Sequence, residues 1–180
     1  GSGETATIDG LFIEHNDFSQ IGYVACTVYN RQPSADKYEA ARRVYFRHNK
    51  VRDTGITAGA TFGIGISLDG YGSGFEITHN HFKNLLRVGI ENTGWIDGTI
   101  AHNRGEDFSR KWRLVSFSDP VYPDTTRGIR GYDNICIGDA TNGSYISLSV
   151  GAVLHGNKFT YDGSTFGTGP AFSVLDCTEL

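Results

Sequence analysis

An asparagine recurs at Asn16, Asn49, Asn80, Asn103, Asn134 and Asn157, and the apolar and polar residues around it keep the same phase each time. Three positions before it stand Ile13, Phe46, Ile77, Ile100, Gly131 and Leu154. Two positions after it stand Phe18, Val51, Phe82, Gly105, Cys136 and Phe159. Five positions before it come Leu11, Val44, Phe75, Gly98, Ile129 and Ala152. Each column is apolar in five of six repeats, although only 38% of the chain is hydrophobic. The columns alternate with period two, which predicts a strand burying one face up to the asparagine and a second short strand after it.

Asparagine hydrogen-bonds locally and tolerates left-handed backbone, so it suits the corner between those strands. Stacked at one corner, such side chains can satisfy one another inside an apolar interior. A third strand is predicted in each repeat, over residues 23–29, 62–68, 87–92, 112–117, 145–150 and 171–175. The repeats are 33, 31, 23, 31 and 23 residues apart, and the variable lengths fall into loops. The longest loop contains a helix-like stretch over 35–43. Three strands per repeat predict an all-β chain: a right-handed parallel β-helix, a solenoid of about six triangular coils. Inward residues such as Ile64, Ile66, Leu68, Ile90, Leu148 and Val174 are its expected core.

The columns Ile77-Thr78-His79-Asn80-His81-Phe82 and Val88-Gly89-Ile90-Glu91-Asn92 resemble the repeats of the pectate-lyase-like superfamily. That resemblance covers most of the chain. It implies a polysaccharide-handling protein, most like a bacteriophage tailspike depolymerase whose parent is a homotrimer on a virion tail or in the extracellular space. It also implies that substrate lies along the third strand of each repeat, since enzymes of this superfamily bind there.

Asp69, Glu91, Asp119 and Asp176 lie near the ends of that strand. Asp69 and Glu91 come from successive repeats, so their carboxylates are expected roughly 5 to 9 Å apart, a range that covers both retaining and inverting glycosidases. One acts as proton donor and the other as base or nucleophile; Asp119 and Asp97 are candidate third members. Tyr71, Trp95 and Trp112 are candidate sugar-stacking rings, with Trp95 expected to be exposed. Arg87 and Arg113 are candidate binders of anionic sugars. Endo-acting hydrolysis of a capsule- or O-antigen-type polysaccharide is favoured over lyase chemistry. Glu106-Asp107 and Asp119 with Asp124 are the nearest approach to a calcium cluster, and no lyase base stands out, so no cofactor or metal is expected. The alternatives are a carbohydrate-binding module without catalysis and a uronate-polymer lyase or epimerase.

Charge and composition narrow the partners. The formal charge of −4 and scattered arginines argue against a nucleic-acid binder, and no apolar stretch is long enough for membrane insertion. His15, His48, His79 and His102 directly precede the asparagines and are read as a corner stack; His81 and His155 fit no column. Cys26, Cys136 and Cys177 have no framework spacing and are expected to be small buried hydrophobes. Asn142-Gly143-Ser144 matches a glycosylation sequon. Gly-Ser-Gly at residues 1–3 looks like a cloning scar, so residues 1–180 are expected to be one domain cut from a longer chain.

Overall fold

A computed structural model describes residues 8–30, 41–57, 62–107, 113–117, 126–137, 144–147, 149–150, 153–160 and 172–175. These residues are all-β. The first strands are β1 (Ile8–Glu14), β2 (Asp17–Ile21), β3 (Val24–Asn30), β4 (Ala41–Arg47), β5 (Lys50–Thr54) and β6 (Ile64–Gly70). Next come β7 (Ser73–Thr78), β8 (His81–Leu85), β9 (Val88–Asn92), β10 (Thr99–Ala101), β11 (Arg104–Glu106) and β12 (Arg113–Phe117). A two-residue strand β13 (Thr126–Arg127) precedes β14 (Arg130–Tyr132), β15 (Ile135–Ile137) and β16 (Ser144–Ser147). The last are β17 (Ser149–Val150), β18 (Val153–His155), β19 (Lys158–Thr160) and β20 (Phe172–Leu175).

Strands that follow one another in sequence go to different sheets. The first sheet has the order β1-β4-β7-β10-β14-β18, the second β2-β5-β8-β11-β15-β19, and the third β3-β6-β9-β12-β16-β20. Neighbours within each sheet are parallel, and β13 pairs with β17. The ladder registers are the columns read from sequence. Ile13, Phe46, Ile77, Ile100, Gly131 and Leu154 pair in turn across the first sheet. Phe18, Val51, Phe82, Gly105, Cys136 and Phe159 do so across the second.

Those columns build the core. Val44, Phe46, Val51, Ile66, Leu68, Phe75, Ile77, Phe82, Ile90 and Ile100 are buried in one cluster. Burying each such side chain contributes roughly 1.5–3 kcal/mol. Ile64 is buried as well, whereas Leu148 and the side chain of Val174 lie outside the description. At Gly98 the Phe75 ring takes the space of the missing side chain: a Cβ there would sit 2.1 Å from that ring. Cys136 is in the core and Cys26 packs against it. Burial pushes the Cys26 thiol up to about 11. Cys177 and the sequon lie outside the described residues.

The asparagine column is a continuous hydrogen-bond ladder. The Asn49 backbone N–H and Nδ2 both donate to Asn80 Oδ1, at 2.9 and 3.2 Å. Its second Nδ2 proton goes to Ile13 O of the preceding repeat at 2.8 Å. Asn80, Asn103 and Asn134 repeat all three bonds. Asn49, Asn80, Asn103 and Asn134 are buried, so the ladder is what makes their amides compatible with the interior.

Two expectations about the corners are corrected. The left-handed residue is the one before the asparagine: His15, His48, His79, His102, Asp133 and Gly156 all have positive φ, between 51° and 66°. An asparagine side chain must point inward to join the ladder, and the left-handed residue before it makes the turn. The helix-like reading of 35–43 fails at its end, because Ala41, Arg42 and Arg43 open β4. The pairing of Ala41 and Arg42 with β1 and of Arg42 with β7 overrides local helix propensity. Residues 35–40 are outside the description.

Candidate functional site

The outer face of the third sheet is set by the alternation of its strands. Val28, Ile64, Ile66, Leu68, Val88 and Ile90 are buried, so the intervening positions face outward. One outward row is Thr27, Ser67 and Glu91, and β12 continues its register at Ser116. Beside it Tyr29 pairs with Asp69, and Thr93 follows in the next repeat through its N–H bond to Leu68 O.

Asp69 and Glu91 therefore come from adjacent hydrogen-bonded strands. Glu91 pairs with Ser67, two residues short of Asp69, a diagonal of about 8 Å between α-carbons from strand rise and spacing. Both carboxylates are half-buried and both have donors. Ser67 Oγ donates to Glu91 at 3.0 Å, and Arg87 lies 3.5 Å from it as an ion pair. Thr93 Oγ1 is 3.0 Å from Asp69 Oδ1 and 3.2 Å from Leu68 O, and it accepts from the Gly70 N–H. A hydroxyl has one proton to give, so Thr93 can donate to an ionised Asp69, or donate to Leu68 and accept from a protonated one.

Arg87 belongs to this face. Its guanidinium lies 4.9 Å over the Phe62 ring, and Phe62 is 4.7 Å from the ring of Tyr23. Tyr23 and Tyr29 are both more than half exposed. Neither tyrosine, nor Phe62, was singled out by sequence. The available signal was the alternation itself, because Tyr29 follows the inward Val28 and so had to face out.

The aromatic residues chosen from sequence fare differently. Trp95 is fully buried, which corrects its expected exposure. Asn92, itself buried, accepts from the Gly94 and Trp95 N–H groups and donates to Trp95 O at 3.0 Å. That compact turn carries the indole inward, edge-on to Phe75 and against Gly72. Tyr71 is also buried, with its backbone bonded on both sides to Asn30. Neither ring presents a face to a sugar.

Arg113 is in β12, paired with Val88 of β9. Trp112, Asp119, Asp124 and Asp176 lie outside the described residues. Asp97 occupies a left-handed corner before the first sheet, apart from the Asp69–Glu91 pair. There it lines a shallow concavity of about 380 Å³ with Gly98, Thr99, Gly128, Arg130 and Val153.

Glu106 and Asp107 do not form a calcium cluster. Lys83 reaches both, and His81 and Arg104 pair with Glu106. No group of three metal-ligating side chains occurs among the described residues. The histidine column is a stack: ring centroids are 5.0 Å apart for His15–His48, 4.9 Å for His48–His79 and 4.8 Å for His79–His102. His155 continues this corner by stacking on Tyr132 at 5.1 Å, so it has a place that its sequence position did not reveal. Among the described residues no helix is long and apolar enough to cross a membrane.

Comparison with family models, with curated proteins and with solved structures finds no match to this chain.

Proposed function

We propose that the three parallel sheets are the faces of one right-handed parallel β-helix of six coils, and that the outer face of its third sheet binds and cleaves a polysaccharide. The fold reading is supported by strand order, since each sheet takes its strands from successive repeats. Parallel crossovers are right-handed in nearly all proteins. The functional reading is carried by the Asp69–Glu91 diagonal: two outward carboxylates on adjacent strands, their α-carbons about 8 Å apart, placed so that they can flank a glycosidic bond.

In this reading Glu91, facing Arg87, serves as the carboxylate base or nucleophile. Asp69 serves as the proton donor, with Thr93 Oγ1 able to accept from it. Tyr29 and Tyr23 supply exposed rings for sugar faces, replacing Trp95 and Tyr71 in that role. Bacterial surface polysaccharide, as for a tailspike depolymerase, is the substrate class the sequence resemblance favours.

One observation favours a second reading. Each carboxylate already has a donor within 3.0 Å, an arrangement that also suits passive hydrogen bonding to sugar hydroxyls in a binding module.

Glycan-array binding followed by product analysis tests both. Asp69→Asn and Glu91→Gln are each expected to lower turnover at least about 100-fold, the scale of general acid–base catalysis, with binding changed only a few-fold. Binding of an intact glycan, lost in both variants, would establish the module instead. Unsaturated ultraviolet-absorbing ends would mark a lyase, and absence of any glycan binding would sink the proposal.

A further inference from the structure

The second sheet has an outer face that the linear sequence scatters and the register assembles. One outward row runs Asp17, Lys50, His81, Arg104, Ile135 and Lys158, each opposite the next. The parallel row runs Ser19, Arg52, Lys83, Glu106, Ile137 and Thr160. Five permanent cations and two carboxylates occupy these positions, in a chain whose total formal charge is −4. Lys50, Arg52, Lys83, Arg104 and Lys158 are exposed.

The carboxylates on and beside this face are already engaged. Asp17 takes Arg52, through two contacts of 3.3 Å. Glu106 takes Arg104, His81 and Lys83, and Asp107 at the corner also takes Lys83. Burial alone would push Glu106 up, but the Arg104 hydrogen bond and the charges of His81 and Arg104 outweigh it and hold it below the usual carboxylate range. Asp53, at the same corner, accepts from Asn84. Lys50 and Lys158 have no carboxylate within ion-pair distance among the described residues. The two flank His81 and Arg104 in a single row along the stacking direction, where steps are about 4.8 Å.

We infer that this face binds a linear acidic polysaccharide laid along the row from Lys50 to Lys158, separately from the carboxylate pair on the third sheet. Lys50, His81 and Arg104 stand at successive steps and Lys158 two steps on, beyond Ile135, a straight track that a chain bearing regularly repeated carboxylates can follow without either partner having to bend. Among the described residues the face has no exposed Phe, Tyr or Trp ring on which nucleic-acid bases could stack. The overall negative charge also opposes the denser charge of a polynucleotide more strongly. The choice of a polysaccharide rests on the function proposed for the third sheet; the location rests on the second sheet's charges alone.

Binding of polygalacturonate, neutral dextran and duplex DNA by the whole chain tests the inference, with Lys50→Glu/Lys158→Glu and Asp69→Asn/Glu91→Gln as two separate double variants. Polygalacturonate should bind in a salt-sensitive way and weaken at least about tenfold in the lysine variant, while the carboxylate variant keeps that binding. Polygalacturonate binding that is absent, indifferent to the lysine variant or matched by dextran overturns the inference, and tighter binding of DNA replaces its ligand class. Loss of glycan turnover in the carboxylate variant is a separate readout, so failure of the third-sheet proposal and failure of this one are distinguishable.

Discussion

The corner between the first and second sheets and the outer face of the third are both lined with polar side chains, but they satisfy them in opposite ways. At the corner Asn49, Asn80, Asn103 and Asn134 each make the same three bonds, two to the next asparagine and one to a carbonyl of the preceding repeat. On the third sheet the described side chains do not repeat: Ser67 serves Glu91, Thr93 serves Asp69, and Arg87 bridges Glu91 to an aromatic ring. Repetition is what a stacking interface needs. Irregular polar groups, half-exposed beside open tyrosines, add nothing to stacking and leave acceptors turned toward solvent.

The largest effect should come from breaking the repetitive region. Asn80→Ala removes the acceptor of two Asn49 donors and the donor to Phe46 O. The loss is expected to be about 3 kcal/mol of unfolding free energy, since each orphaned buried group costs roughly 1–3 kcal/mol. Asn16→Ala should cost less than about 1 kcal/mol, because Asn16 is exposed, Asn49 Oδ1 keeps the Asn16 backbone N–H, and the bonds lost are those of Asn16 Nδ2 to Asn49 Oδ1 and to its own Glu14 O. Urea denaturation of the two variants side by side decides it; equal losses would mean that the ladder does not matter as a ladder.

On the irregular face the expected pattern reverses. Tyr29→Ala should leave unfolding within about 0.5 kcal/mol of the parent and weaken glycan binding about three- to tenfold, the worth of one ring contact. Calorimetric titration with any glycan hit measures this. A large stability loss with unchanged affinity would make Tyr29 a structural residue.

The smallest effect concerns the stacked histidines. Burial, followed by the neighbouring His102 and His48, holds His79 below its ordinary value of 6.5, with Glu76 opposing. Between the lowered value and 6.5 the unfolded chain binds more protons than the folded one. Stability is therefore whole above 6.5 and is lost as pH falls through that window. Melting temperature should drop slightly from pH 7.5 to 5.5, and His79→Gln should flatten the decline. A melting temperature that rises on acidification would refute coupling within the stack.

Much of the architecture was legible because it repeats. The column of Phe18, Val51, Phe82 and Cys136 could be aligned by counting from asparagines, and the ladder uses that register. The carboxylate pair was legible for the same reason, since Asp69 and Glu91 hold nearly equivalent places in successive repeats. Trp95 was misread because it belongs to no column. Its direction is decided by the amide of Asn92, three residues away, and by the space that Gly72 leaves. Tyr29 stands outward by alternation, yet its strand carries no charge that marks it as part of a site.

What the sequence determined alone was strand phase, register and the inward face, because period-two burial and paired amides leave few ways to stack equivalent segments. What the tertiary structure decided was everything that depends on neighbours from other repeats. The left-handed turn falls on the histidines so that the asparagines can point inward. The indole of Trp95 is drawn into the core. Lys50, His81, Arg104 and Lys158, far apart in the chain, become one row because parallel pairing sets them side by side at strand spacing.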